Sequence, residues 1–385
     1  MPKTLRFLCC LLSFSLLLPL WCIPTDAETA PPSVSAQSAV LLDPEHGIVL
    51  WEKNGSTQLP IASTTKIMTA LVALNSLPVN TVVRISSEAV GVEGSSVYLT
   101  EGEKLTLEEL LYALLLESAN DAAVAIALAV SGSIPKFAEE MNRTAQELGL
   151  KNTRFQNPHG LPAEEHYASA ADLARITAVA MEDPLFAKIV ATPKATISHG
   201  GKQGVRLLLN HNKMLHLYNG AVGVKTGFTK KSGRCLVSAA ERDGVRLIAV
   251  TLNAPDDWND HTALLDYGFS VMRSTVLCRP HEVLLQIPLV NATTNALNVS
   301  NPEGITVSLP QGHPEIKVTV EAPRFLFAPV KEGDRVGTVI YKSDLDGDGI
   351  AECIGATPLL AQTDATQQKP KKTFWQWLLS LFGCE

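Results

Sequence analysis

The chain has 385 residues, 46% hydrophobic and 18% charged, with a formal net charge of −7 at pH 7. That length supports a large core and more than one globular domain. An acidic balance without any long basic run leaves no footing for nucleic acid as a partner.

The first residues, "MPKTLRFLCCLLSFSLLLPLWCIPTDAETAPP", set Lys3 and Arg6 before an apolar run from Phe7 to Trp21, then small residues ahead of Glu28. This is the layout of a secretory signal over residues 1–27, cut after about Ala27. The run is short and holds Pro19, which argues against an uncleaved span. Bulky Trp21 before Cys22 argues against a lipid-attachment site. The cysteines left are Cys235, Cys278, Cys353 and Cys384, with no metal-ligand or C-x-x-C spacing, so no zinc or thiol-redox centre is expected. A disulfide among them stays open in an exported protein, and spacing does not pair them.

"SAVLLDPEHGIVLWEKN" predicts a hairpin around Asp43-Pro44-Glu45-His46-Gly47. A helix is expected to begin near Ser63, after Pro60, with Ile67, Leu71 and Leu74 at apolar spacing. Helical, Ala/Leu-rich patterning follows from Leu105 to about Leu148 and again from Ala168 to Met181. Past Gly220 the period changes to strands, "AVGVKTGF", "RCLVSAA" and "VRLIAVTL", the last two joined by Arg242-Asp243-Gly244. Strands from both ends around a helical middle predict an α/β (α+β) domain over residues 28–274, a mainly antiparallel sheet covered by helices. Residues 275–360, with short alternating runs rich in Val, Ile, Pro and Gly, predict a small all-β domain. Within it "DLDGDG" starts like an EF-hand loop, but Gly355 takes the twelfth position, so a β-turn is expected there. The polar "TDATQQKPKK" marks a linker, placed over 361–372. Residues 373–385, "TFWQWLLSLFGCE", predict an amphipathic helix. Too short to span a bilayer, and led in by Lys369, Lys371 and Lys372, it suits a membrane surface.

Three short patterns carry chemistry. Ser63 and Lys66 form an S-x-x-K pair that shares one helix face, where an amine can activate a hydroxyl. Such a match arises on the order of once by chance in a chain this long. A second copy, Ser133 to Lys136, contains Pro135 and lacks partner motifs. "ESAND" sets Ser118 and Asn120 in a polar break that a capping turn alone would also explain. "GVKTGF" puts Lys225, Thr226 and Gly227 at the end of a strand, where a lysine also protects an edge. The ordered set S-x-x-K, S-x-N, K-T-G is far more specific than its parts, and belongs to penicillin-binding proteins and β-lactamases. In physical terms Ser63 would attack a carbonyl while Lys66, its pKa depressed by burial and by Lys225, takes the proton. Ser118 would relay a proton, and the Asn120 amide would bond the substrate's peptide group. Lys225 and Thr226 suit a terminal carboxylate, and Gly227 lets a substrate backbone lie close. His159, His166 and Asp172 lack the flanking signature of a Ser-His-Asp triad and are expected to be structural or at the rim.

With these motifs, "NPHGLPAEEHYASAADLARI" (157–176) and "GFTKKSGRCLVSAA" (227–240), the chain resembles the low-molecular-weight penicillin-binding proteins that are serine D-Ala-D-Ala carboxypeptidases. The resemblance covers most of the length, including the β domain and tail. Ala119 stands where many relatives have glycine. The resemblance implies a penicillin-binding/β-lactamase-like fold and an oxyanion hole from the backbone N–H groups of Ser63 and Phe228. It further implies trimming of peptidoglycan stem peptides, covalent inhibition by β-lactams, no metal or cofactor, and a place on the outer face of the bacterial cytoplasmic membrane. Three alternatives stay open. A β-lactamase shares the motifs, but no E-x-x-L-N segment follows S-x-N. An endopeptidase or transpeptidase would act on cross-linked peptides. A non-catalytic peptidoglycan binder would have little use for an intact Ser63, Lys66 and Lys225.

Overall fold

Ser38–Asp43 (β1) and Ile48–Lys53 (β2) pair as the expected hairpin, Leu41 opposite Trp51. These positions belong to a computed structural model that describes residues 30–200 and 202–368. The expected signal segment and the expected amphipathic tail lie outside the described residues, and every element below belongs to the unit from Pro32 onward. Two small hairpins follow, β3 (Val82–Arg84) with β4 (Lys104–Thr106) and β5 (Lys194–His199) with β6 (Lys202–Leu209). Then come β7 (Ala221–Thr229), β8 (Gly233–Arg242) and β9 (Val245–Leu252). Five strands form one antiparallel sheet in the order β2-β1-β9-β8-β7, which leaves β7 at an edge.

A 3-10 turn, Ala62–Thr65, leads into α1 (Lys66–Ser76). The helical stretch after it is three helices, α2 (Leu107–Leu116), α3 (Asn120–Ser131) and α4 (Ile134–Glu147). They are followed by α5 (Ala170–Ala180), α6 (Pro184–Val190), α7 (Met214–Leu217) and α8 (Asp257–Val271). Side chains alternate across a strand, and the core splits accordingly. Val40 and Leu42 join Ile67, Met68, Leu173 and Ile176 of α1 and α5 on one face. Leu41 joins Leu236, Leu247, Leu264 and Leu265 on the α8 face. Each such side chain contributes about 1.5–3 kcal/mol by leaving water. Caps fix the helix starts: Thr106 and Glu109 bond reciprocally at α2, and Ser169 accepts from Asp172 N at α5. Ser133 caps α4 by accepting from Lys136 N, with Pro135 in the first turn. The second S-x-x-K copy is therefore a helix cap.

The sequence reading assigns nothing to β5, β6 or α8. In α8 the apolar period is broken by acids that are themselves buried. Asp260 accepts from Ser35 N, Ser35 Oγ and Ala36 N, which puts a charge on the inward face.

Strand β10 (Met272–Cys278) follows α8 directly. With β11 (Leu284–Val290), β12 (Ala296–Ser300), β13 (Ile305–Pro310), β14 (Lys317–Glu321), β15 (Leu326–Phe327), β16 (Arg335–Ser343) and β17 (Glu352–Ala361) it builds a β domain. β10 pairs with β13. The other six strands run β14-β16-β17-β12-β11-β15, around a core that includes Val299, Leu309, Val339 and Leu359. Glu45, in the β1–β2 turn, ties the two parts together by accepting from Ser308 N (2.9 Å) and Ser308 Oγ (2.5 Å). "DLDGDG" forms the β16–β17 connection, its Asp344 and Asp348 accepting from Gly349 N and Ile350 N.

One boundary needs correction. Residues 361–368, read as the start of a linker, are laced into the β domain. Ala365 exchanges backbone bonds with Val330 (2.7 and 3.0 Å), and Gln368 N donates to Asn291 O. Backbone pairing tolerates polar side chains, so composition concealed it. Cys235, Cys278 and Cys353 are free thiols. Among the described residues no single helix is long and apolar enough to cross a membrane.

Candidate active site

Ser63 lies on the 3-10 turn ahead of α1, so the helix begins at Lys66, three residues later than expected. Ala62 before it has φ +46°, a left-handed conformation that costs a non-glycine residue about 1–3 kcal/mol. A buried chain of hydrogen bonds sustains it. Gln156 N donates to His166 Nδ1 (3.0 Å), which leaves Nε2 as the protonated nitrogen facing Thr65 Oγ1 (2.8 Å). Thr65 Oγ1 in turn donates to Ala62 O (2.8 Å). Burial, then the charge on Lys66, pushes His166 down to about 4, so the ring stays neutral in this role. His166 is structural, as expected.

Lys66 is fully buried, and its Nζ donates to Ser63 Oγ (2.9 Å), Asn120 Oδ1 (2.7 Å) and His159 O (2.8 Å). Burial first, and the charge of Lys225 second, hold its pKa well below the usual lysine value, against an opposing pull from Asp121. The His159 carbonyl is aimed by Asn157, whose Oδ1 accepts from His159 N and Gly160 N while Nδ2 donates to Leu161 O. Gly160 has φ +88°, and a Cβ there would lie 1.8 Å from Ala62 O. The "NPHGLP" loop thus packs against the nucleophile's turn and supplies the third acceptor for Lys66. The His159 ring, driven to about 3 by burial and then by the charges of Lys66 and His166, is neutral.

Ser118, at φ +61°, ends the polar break before α3 and lines the cleft beside Ser63. It is not among the acceptors of Lys66. Asn120 places its Oδ1 on Lys66, and its Nδ2 donates to Glu93 O (2.5 Å). In this state the carboxamide positions the lysine rather than waiting free for a substrate.

The facing wall is β7. Lys225 is buried and donates to Thr226 O (2.8 Å), and burial lowers its pKa to about 7. A Cβ at Gly227 would stand 3.0 Å from Ser63 N and 3.1 Å from Ile61 O, so the strand runs hard against the turn. That approach sets Phe228, 66% exposed, in the same cleft as Ser63. Thr229 and Ser232 lock the β7–β8 turn by reciprocal hydrogen bonds. Ser63, Ser118, Thr226, Gly227 and Phe228 line a cleft of about 400 Å³. Arg234, Asp257 and Trp258 line it too, and the sequence reading passed over all three. Cys235 also borders it, but burial pushes its thiol up to about 11.

A serine within reach of a buried lysine three residues on, flanked by S-x-N and faced by a K-T-G edge strand, defines a penicillin-recognising serine enzyme. Residues 25–256 match the profile of the family described as D-alanyl-D-alanine carboxypeptidase, and the chain belongs to that family. It is 33% identical over 339 residues to D-alanyl-D-alanine carboxypeptidase DacF of Bacillus subtilis, covering 86% of this chain and 85% of the relative. DacC of Escherichia coli is 30% identical, with 91% and 89% covered. Among solved structures, a peptidoglycan synthesis regulatory factor (PBP3) from Streptococcus pneumoniae superposes with a TM-score of 0.72 at 26% identity. That match covers 87% of this chain and 100% of the other.

Proposed function

We propose that this chain is a serine D-Ala-D-Ala carboxypeptidase, which removes the terminal D-alanine of peptidoglycan stem peptides through an acyl-enzyme on Ser63, and that β-lactams acylate the same serine. The observation that carries the reading is the 2.9 Å contact between Lys66 Nζ and Ser63 Oγ, in surroundings that depress the amine's proton affinity. In its neutral form Lys66 takes the Ser63 proton as Oγ attacks the carbonyl of the penultimate residue. The N–H groups of Ser63 and Phe228 receive the developing oxyanion, each such donor being worth about 3 kcal/mol in the transition state. Lys225 and Thr226 hold the terminal carboxylate. Collapse of the intermediate expels D-alanine, its amine protonated from Lys66 through Ser118. Water then attacks the ester, giving its proton to Lys66, which passes it to Ser63 Oγ as the C–Oγ bond breaks; the shortened peptide leaves with Ser63 and neutral Lys66 restored.

The proposal extends to place. The signal-like start and the aromatic tail led in by lysines support an exported enzyme held at the outer face of the cytoplasmic membrane.

The test is D-alanine release from a peptide ending in D-Ala-D-Ala, by wild-type protein beside Ser63→Ala. Release is expected to vanish in the variant. Release at the wild-type rate would remove Ser63 as nucleophile.

A further inference from the structure

The reaction makes no use of the aromatic side chains that the β domain leaves in water. Phe325 and Phe327 are 50% and 64% exposed, and their rings meet edge to face with centroids 5.5 Å apart. A single exposed apolar side chain is ordinary, whereas rings that meet each other and stay exposed mark a contact surface. Val290, paired with Phe327 across β11 and β15, adds a side chain that is 41% exposed.

What meets this surface follows from where the described residues end. Beyond Val290, Thr293 N donates to Thr366 O, Ala292 is bridged to Gln367, and Gln368 N donates to Asn291 O. These antiparallel pairings step the chain toward Val290 one residue at a time, so Gln368 sits one position short of the residue that pairs with Phe327. The next residue in the sequence is Lys369, followed by Lys371, Lys372 and the aromatic stretch over 373–385. Consecutive Cα atoms are about 3.8 Å apart, so the lysine run begins at the end of the β domain that carries the two rings. Basic residues next to aromatic ones suit the headgroup region of an anionic bilayer, and stable attachment there takes more than one weak signal. The opposite edge of the same sheet is β14, where Val318 and Val320 are 57% and 43% exposed. No chain end lies there among the described residues, which makes that edge the internal control.

We propose that Phe325 and Phe327 form a second membrane-contact site, which enters the headgroup region of an anionic bilayer beside the tail and fixes which end of the β domain faces the lipid. This rests on the reading of residues 373–385 as a membrane-surface segment. The rings act only with that segment, since two side chains are too small a surface to hold the chain by themselves. The test is partition of residues 28–385 onto phosphatidylglycerol-containing vesicles. Phe325→Ser with Phe327→Ser is expected to lower the partition coefficient about 10-fold, the loss of two buried rings. Val318→Ser with Val320→Ser should lower it less than about 2-fold. Phe325→Leu with Phe327→Leu, which keeps the surface apolar, should recover most of the loss. The ratio between parent and Phe-to-Ser protein should persist in about 0.5 M salt, where the lysine contribution is screened. Melting temperature and the rate of penicillin acylation should be the same in all four proteins. Equal partition of the parent and the Phe-to-Ser protein overturns the proposal while the tail reading stands, and equal losses at the two sheet edges overturn it as well. A parent protein that does not bind the vesicles removes both readings.

Discussion

Lys66 spends three N–H bonds on Ser63, Asn120 and His159, the full donor capacity of an ammonium, yet the proposed reaction needs that amine neutral. Burial and Lys225 resolve the conflict by making the proton easy to lose. The two lysines therefore set opposite limbs of the pH profile. Both pKa values are lowered: activity falls as acid protonates Lys66, and carboxylate binding falls as Lys225 loses its proton through about 7. A bell-shaped kcat/KM profile is expected, since that quantity reports the free enzyme. Lys225→Arg should carry the alkaline limb upward by more than one pH unit, because a guanidinium does not titrate in that range. An unmoved alkaline limb would assign it to another group. Ser63 and Lys66 were legible because their chain spacing already puts them side by side, and Lys225 because it stands in the K-T-G triplet. The Gln156–His166–Thr65 chain and the hold of Asp257 on Arg234 were not, because each joins residues distant in sequence, and the local Asn157 brace matters only through the His159 carbonyl it aims at Lys66. For Arg234 the signal was the hairpin register, which places it opposite Phe228 once the turn at Thr229–Ser232 is located.

At the level of elements, the nucleophile's turn is shaped from outside by the loop that carries Gly160. An alanine there meets Ala62 O at 1.8 Å and must hold φ +88°, whereas Gly132, at the end of α3, has φ +75° and open space around it. Gly160→Ala is expected to destabilise by at least about 2 kcal/mol and to cut penicillin acylation at least about 100-fold, because reacting groups misplaced by an ångström lose that much. Gly132→Ala should cost only about 1 kcal/mol and leave acylation intact. Melting curves beside acylation rates separate the two, and equal acylation in both variants would count against the loop's role. The hairpin of β1 and β2, the helices of the middle and the strands after Gly220 follow from apolar period alone. The α8 helix does not, because Asp257, Asp260 and His261 are buried in it. Hydrogen bonds from Ser35, Ala36 and Arg234 make those acids tolerable inside, and no window of sequence contains those partners.

Across the molecule the chain's path bears on how it is held. Gln368, the last described residue, is bonded to Asn291 just beyond β11, on the β domain. The catalytic groups all lie before residue 274. Protein lacking residues 1–27 is expected to float with anionic liposomes, and removal of residues 369–385 should abolish flotation while leaving penicillin acylation unchanged. Equal flotation of the two forms would take the tail out of the account. The wall made by β7 has a different reach. A side chain added at Gly227 to fence out a drug would press on Ser63 N and Ile61 O and shift the nucleophile by a few tenths of an ångström. A side chain there that fences out a β-lactam is therefore expected to slow the reaction on the peptide as well, because both must reach the same serine.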